Sequence, residues 1–320
     1  MPLIDLPIEK LQEYHGRNPK PADFDTFWDT ALAEVIGVAP QLHLELANFQ
    51  LKAASCHHAW FDSVGGARLH AKVLLPRNPF IKLPCAVLFH GYSGRSGDWM
   101  SLASWVSAGY AVIALDVRGQ AGLSQDPGSV PGNTLKGHII RGVNGTPEQL
   151  FYRGVFLDTV QTVNVAANLP GVDPTQIVTF GASQGGGLSL ACAALSDKVT
   201  KCGTMYPFLS DYQRVWEMDQ AKDAYDEIKA YLKMFDPTHQ HVEEFFERLG
   251  YIDIQHLAPR VKADTIMITG LMDTITPPST QFAAYNKLTC AKDMVIYPDF
   301  GHEGLPESLE RVVQYFQANP

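Results

Sequence analysis

The run Val178-Thr179-Phe180-Gly181-Ala182-Ser183-Gln184-Gly185-Gly186-Gly187 constrains the fold more than any other stretch. An apolar β-type segment, Gln176 to Phe180, leads into Gly-Ala-Ser-Gln-Gly, and a small-residue helical stretch, Leu188 to Leu195, follows at once. A strand-to-helix turn this sharp holds its middle residue in a cramped backbone conformation. The positions two before and two after must be nearly bare for strand and helix to pack closely. What projects is a lone hydroxyl, that of Ser183, at the mouth of a sheet and beside a helix N-terminus. Taken alone, the pattern equally describes a plain glycine-rich loop. It is not a phosphate cradle, because no Gly-Lys-Ser/Thr follows it. Residues elsewhere in the chain have to decide.

The flanking sequence predicts the sheet that such a turn needs. Two alternating runs, His57 to Ser63 and Ala67 to Leu75, flank Gly65-Gly66 and read as a hairpin at one sheet edge. Short apolar strands follow at Cys85 to Phe89, Ala111 to Leu115, Ile177 to Phe180, Val199 to Tyr206, Thr265 to Thr269 and Met294 to Tyr297. Between them lie helical stretches at Trp99 to Ala108, at Arg153 to Leu169 (Val155, Leu157, Val160 and Val163 at helical spacing) and at Thr280 to Leu288, and Glu307 to Gln317 closes the chain. Apolar strands alternating with helices mean a mostly parallel sheet, here of eight strands, covered on both faces.

The chain therefore reads as one α/β domain, 1–320. Residues 1–50, Pro-rich with a helix at Phe27 to Val35, form an N-terminal arm. Residues 210–256 are charged and helical in pattern, and too long for a simple connection. They read as an inserted cap, with a solvated helical excursion as the alternative.

Composition narrows the partners. A net charge of −9 with no lysine- or arginine-rich run argues against nucleic acid or an anionic membrane surface. The five cysteines form no Cys-x-x-Cys, and Cys85, Cys192 and Cys202 sit in apolar runs as buried small hydrophobes. No stretch approaches the roughly 20 apolar residues of a membrane span, and the N-terminus has no signal-peptide pattern, so a cytoplasmic protein is expected. The histidines lack metal-binding spacing: His57-His58 alternate on a strand, and His302-Glu303 has no second histidine. Neither a metal nor another cofactor is expected.

A serine hydroxyl is a weak nucleophile until a base can take its proton. In open α/β sheets, ligands gather beyond the carboxyl ends of the strands. Two further residues fall at such ends: Asp273, after the strand Thr265 to Thr269, and His302, after the last strand. Singly, the aspartate reads as a turn or helix-cap residue and the histidine as a loop residue. Together with Ser183 they follow the chain order nucleophile, acid, base of the α/β-hydrolase fold. An oxyanion needs two preorganised N–H donors. Gln184 N–H, next after the serine, supplies one, and Tyr92 N–H, in the His90-Gly91-Tyr92-Ser93-Gly94 loop, supplies the other. His90, ahead of that turn, reads as structural.

These residues resemble carbohydrate esterase family seven, the acetyl xylan esterase and cephalosporin C deacetylase group. The resemblance runs nearly end to end. It is carried by Met-Pro-Leu-Ile-Asp-Leu-Pro and Asp23 to Trp28, by Arg118-Gly119-Gln120, by Gly181 to Gly185 and by His302-Glu303. It implies a metal-free serine esterase that removes acetyl groups from small sugars and related alcohols. It also implies a homo-hexamer whose sites open to an interior cavity, with residues 210–256 at the place of a helical interface element. On this reading Arg118 pairs with Glu303, tying two loops near the site. Two features depart from the family pattern: the segment Ala121 to Asn144 differs in detail, and Ala182 stands where the family has glycine.

The mechanism expected is removal of the Ser183 proton by His302, held by Asp273, with Tyr92 and Gln184 N–H groups on the oxyanion and water hydrolysing an acetyl-enzyme. The rivals are a peptidase or longer-chain esterase on the same fold, or a binding protein that keeps the fold without the chemistry.

Overall fold

Ala111 to Leu115 is buried at every position, and a nine-stranded sheet is built around it. The computed structural model describes residues 4–77, 81–128, 133–220 and 222–318. Met1 to Leu3 of the N-terminal motif and residues 129–132 of the Ala121 to Asn144 segment lie outside them. The strands are β1 (His43–Leu46), β2 (Ala54–Asp62), β3 (Arg68–Pro76), β4 (Leu83–Phe89), β5 (Ala111–Leu115), β6 (Val172–Ala182), β7 (Val199–Met205), β8 (Asp264–Gly270) and β9 (Lys292–Tyr297). Their order is β1-β2-β3-β5-β4-β6-β7-β8-β9. β1, β2, β3 and β5 pair antiparallel, and every pairing from β5 through β9 is parallel.

Eight strands were expected; the ninth, β1, lies inside the segment read as an N-terminal arm. It has only four residues, His-Leu-Glu-Leu, none of them buried. It is held by backbone pairing to β2, from His43 opposite Trp60 to Leu46 opposite His57. A strand with no buried face leaves no hydrophobic alternation to detect.

The period-two rule divides the parallel strands between two apolar layers. Cys85, Val87, Phe89, Ile113 and Leu115 face one layer, with the Phe151–Ala166 and Gln184–Leu195 helices. Ala86, Leu88, Val112, Ala114, Val178 and Ile268 face the other, where Trp105, Val312 and Phe316 cover them. The Phe151–Ala166 helix carries the apolar spacing read from the sequence, but it is not buried along that stripe alone. Instead it is buried nearly all round, because the Phe24–Ile36 helix lies across it, with Trp28 stacked on Phe156 at 5.7 Å between ring centroids. Its Arg153 then needs a partner and finds Glu34 of that covering helix. All five cysteines are free thiols, four of them buried, and burial pushes Cys85 and Cys202 up to about 12.

Two carboxyl groups close the roots of the 210–256 segment. Asp253 Oδ2 accepts the N–H of Asp211, and Leu209 O accepts that of Ile254. Asp211 also accepts from Tyr14 Oη at 2.7 Å and from the N–H groups of Arg17 and Asn18, so the N-terminal residues are fastened at the same point. Burial, and then the adjacent Asp211 carboxylate, push the Asp253 carboxyl up to about 7. An unfolded aspartate titrates at about 3.9. Between those values the folded chain keeps a proton that the unfolded chain has released, so stability falls as pH rises from about 4 to 7. Asp253→Asn removes this dependence. Urea midpoints should show the wild type losing ground to the variant between pH 5 and pH 8; a constant difference would mean that Asp253 is ionised throughout.

Candidate active site

The turn between β6 and the Gln184–Leu195 helix has the strained form its sequence predicts. Ser183 takes φ 57° and ψ −121°, a left-handed φ rare for a residue with a side chain. The flanking glycines are obligatory. A Cβ on Gly181 would lie 2.4 Å from the Gly185 carbonyl group, and one on Gly185 would lie 2.1 Å from Phe89 O. Three backbone bonds fix the turn: Ser183 N–H donates to Met205 O at 3.0 Å, and Ser183 O accepts from Gly187 and Phe208 N–H. The hydroxyl is left half-buried, and among the described residues Ser183 Oγ makes no hydrogen bond, to His302 or to any other group.

Asp273 and His302 do meet, as expected. His302 Nδ1 lies 2.8 Å from Asp273 Oδ2. Asp273 is wholly buried, no lysine or arginine among the described residues pairs with it, and its oxygens are met by hydrogen bonds: Ile275 and Thr276 N–H donate to Oδ1, and Thr276 Oγ1 donates to Oδ2 at 2.8 Å. Oδ2 therefore accepts a hydrogen bond from Nδ1–H, which leaves Nε2 as the lone-pair nitrogen when the imidazole is neutral. The ring also lies 4.4 Å from that of Tyr206, the residue after Met205, whose carbonyl holds Ser183 N–H. Serine turn, aromatic ring and imidazole thus form one contiguous wall at the carboxyl edge of β6 to β9.

The loop after β4 carries Tyr92, and the helix after the turn begins with Gln184, the two residues read as oxyanion donors. His90 Nε2 accepts the N–H of Val117 at 3.0 Å, so the neutral ring carries its proton on Nδ1 and donates it to Gly91 O at 2.7 Å. Enclosure of the ring keeps its pKa below the ordinary histidine value. Gly91 O also accepts from Gly94 N–H, at 3.0 Å, and from Gln184 Nε2. In a trans peptide the carbonyl and the next N–H point oppositely. A Gly91 carbonyl drawn into the protein therefore turns Tyr92 N–H outward, and no described group accepts it. Gln184 N–H, the first of its helix, is equally free among the described residues.

The Gln184 side chain is clasped from two more elements. It exchanges hydrogen bonds with the Gln120 amide, accepting at 2.8 Å and donating at 3.1 Å, and its Oε1 accepts from Tyr152 Oη at 2.8 Å. Here the sequence comparison decides what the geometry belongs to: the acetyl xylan esterase (AXE1) family matches residues 1–319. The chain belongs to that family.

Solved acetyl xylan esterases superpose closely. Acetyl xylan esterase 1 from Thermoanaerobacterium sp. JW/SL YS485 is 48% identical with a TM-score of 0.94, covering 98% of this chain and all of that one. The enzyme from Paenibacillus sp. R4 is 35% identical with a TM-score of 0.92, covering 98% and 99% of the two chains. Acetyl esterase Axe7A of Xylanibacter ruminicola is 27% identical over 162 residues, 51% of this chain but only 35% of that longer protein.

Within the acetyl xylan esterase fold, the Arg118-Gly119-Gln120 run holds the loop after β5. Gln120 makes the amide pair just described. Gly119 has φ +64°, and a Cβ there would meet the Asp126 side chain at 2.9 Å. Arg118 does not pair with Glu303. Its Nε and Nη2 donate to the two oxygens of Asp158, at 2.6 and 2.5 Å, and Nη2 also reaches Val64 O. Glu303 is exposed and accepts the N–H of Gly301 in its own loop. The reason is topological: β5 and β9 stand five steps apart in the sheet, about 24 Å at about 4.8 Å per strand. Arg118→Ala leaves the Asp158 carboxylate wholly buried with Ser63 Oγ as its remaining side-chain donor. Removing one partner of a buried ion pair costs about 3–5 kcal/mol. Denaturant unfolding should show a loss of that size, and a loss below about 1 kcal/mol would mean that the pair is not a structural anchor.

The sequence did not foretell Thr276, Tyr206 and Tyr152 at the site, nor a histidine line across β2 and β3. His58 Nδ1 lies 2.8 Å from His70 Nε2, and His70 Nδ1 lies 2.7 Å from Asp116 Oδ2. Asp116 in turn accepts Ser96 and Leu123 N–H, joining the loops after β4 and β5. Each contact depends on which strands become neighbours, and local spacing does not encode that. Among the described residues, no helix is long and apolar enough to cross a membrane.

Proposed function

We propose that this chain is a serine esterase that removes acetyl groups from small acetylated sugars, such as xylo-oligosaccharides, and from related compounds such as cephalosporin C. The observation that carries the reading is the Asp273–His302 pair beside the Ser183 turn, in a chain matched to the acetyl xylan esterase family over residues 1–319. Ser183 Oγ attacks the acetyl carbonyl while its proton passes to His302 Nε2, and Asp273 stabilises the imidazolium. Apo catalytic hydrogen bonds commonly tighten only when substrate binds, so the unmade Ser183–His302 bond forms as the alcohol group is engaged. The carbonyl oxygen becomes an oxyanion held by Tyr92 and Gln184 N–H, each donor worth about 100- to 1,000-fold in rate. The sugar alcohol leaves with the proton from His302. Water, deprotonated by the same imidazole, then attacks the acetyl-enzyme and releases acetate.

The chain acts as one α/β-hydrolase unit, with 1–50 as an arm and 210–256 as a helical cover. It assembles as a homo-hexamer in the cytoplasm; a solution mass six times that of the chain is expected. Initial rates on p-nitrophenyl acetate, butyrate and octanoate, and on a peptide anilide, test the chemistry. Acetate is expected to lead butyrate by at least about tenfold, a difference typical of two surplus methylenes against a closed acyl pocket. Preference for octanoate or for the amide would overturn the acetyl assignment. Failure of a fluorophosphonate to label Ser183 would favour the non-catalytic alternative.

A further inference from the structure

We infer that Glu227, in the 210–256 segment, is a positioning residue that sets the oxyanion hole by gripping the side chain of Tyr92. The inference rests on the assignment of Tyr92 N–H to that hole.

The Asp226–Phe235 helix brings Glu227 over the loop that follows β4. Tyr92 Oη donates to Glu227 Oε1 at 2.5 Å. The other oxygen, Oε2, accepts the N–H groups of Ile139 and Ile140, at 2.9 and 3.0 Å. One carboxyl group therefore joins three segments distant in sequence: the helix that carries it, the donor loop and the 133–140 loop. The two loops are bound to each other as well, since Tyr92 Oη accepts from His138 N–H and Ser93 Oγ donates to Leu135 O. Among the described residues no arginine or lysine pairs with Glu227, and burial raises its pKa. Glu227 is half-buried, and drawing an acid out of water without a counter-charge is costly. What it returns here is the placement of one tyrosine.

Placement of the side chain governs the backbone donor. The Gly91 carbonyl fixes one half of the Gly91–Tyr92 peptide through bonds from His90, Gly94 and Gln184. The Tyr92 Cα is the hinge on the other side of that peptide. Its ring is wedged edge-on against Phe208, at 5.5 Å, and His138, at 5.0 Å, and the hydroxyl is locked by Glu227. Phe208 N–H is itself bonded to Ser183 O. The donor and the attacking hydroxyl are therefore set in one frame, and Glu227 is its outer tie. Released from Glu227, the Tyr92 Cα can shift and tilt the Gly91–Tyr92 peptide about its anchored carbonyl, moving the N–H off the oxyanion, which weakens the transition state more than the bound substrate.

The test compares Glu227→Gln, Tyr92→Phe and the double variant in the full-length protein, with rates expressed per active site titrated by fluorophosphonate. Each single variant should lower kcat on p-nitrophenyl acetate about tenfold with KM changed less than twofold. The double variant should be no slower than the worse single one, because both break the same contact. Inhibition by trifluoroacetone, which forms an oxyanion on Ser183, should weaken by the same factor as kcat/KM. A merely structural role would lower the titrated fraction and the melting temperature but leave kcat per titrated site and the ketone affinity at wild-type values, and that result would overturn the inference. So would multiplicative losses in the double variant. Should Glu227→Gln fail to fold, Tyr92→Phe removes the same contact by deleting one oxygen and decides by the same readouts. Absence of wild-type labelling and turnover would reject the esterase reading itself; an active, labelled wild type with unaffected variants would reject only the role of Glu227.

Discussion

Ser183→Ala is expected to lower kcat for p-nitrophenyl acetate by about 10⁴- to 10⁶-fold while leaving the fold intact. The size follows from loss of the covalent route: without the nucleophile, the oxyanion donors and binding alone leave only about 10³- to 10⁴-fold over water. The intact fold follows from the local structure. Ser183 Oγ makes no hydrogen bond among the described residues, so deleting it strands no partner. The bonds that shape the turn all belong to the backbone, at Ser183 N–H and Ser183 O, and alanine keeps them. A change of stability within about 0.5 kcal/mol is therefore expected, as for a substitution that breaks no buried contact. The measurement is a progress curve at high enzyme concentration together with circular dichroism. A variant retaining more than about one hundredth of wild-type turnover would show that another group is the nucleophile.

How much of this was legible in the sequence depended on whether a residue's role is local. β5 occupies the predicted residues because Ala111 to Leu115 is apolar on both faces, and a strand buried on both sides needs no partner to be recognised. The serine turn was legible for a steric reason, since only glycine fits where Gly181 meets Gly185 and Gly185 meets Phe89 O. Asp273 and His302 were found by their place after strands, which the parallel topology turns into a common edge. β1 escaped because its side chains bury nothing. The Arg118–Glu303 pairing failed for a different reason: two opposite charges in motifs that both follow strands say nothing about their separation across a sheet. Asp158, the true partner, sits mid-helix with no local mark of its role. The Gln184 clasp is of the same kind, needing Gln120 from one loop and Tyr152 from a helix, at 2.8 Å each.

Asp273→Asn should be the next largest loss, about 10⁴-fold in kcat with little change in structure. The isosteric amide keeps an acceptor at Oδ1 for Ile275 and Thr276 N–H, which donate there at 2.8 and 2.9 Å. At the Oδ2 position it presents an N–H toward His302 Nδ1 and Thr276 Oγ1, where the carboxylate was an acceptor. Two donors cannot face each other. The imidazole therefore shifts its proton to Nε2 so that Nδ1 can accept, and the nitrogen turned to the reaction no longer has a lone pair for the Ser183 proton. Loss of the orienting carboxylate has this scale in another serine hydrolase, where the asparagine variant holds the geometry with the wrong tautomer. Thr276 Oγ1 can rotate to accept the new N–H, so no buried donor is orphaned and the unfolding midpoint should move little. Slow-exchanging ring-proton resonances report the tautomer directly. The His302 signal should move from Nδ1–H in the wild type to Nε2–H in the variant. Should the variant keep Nδ1–H, or turn over within tenfold of wild type, Asp273 would not be the group that orients the base.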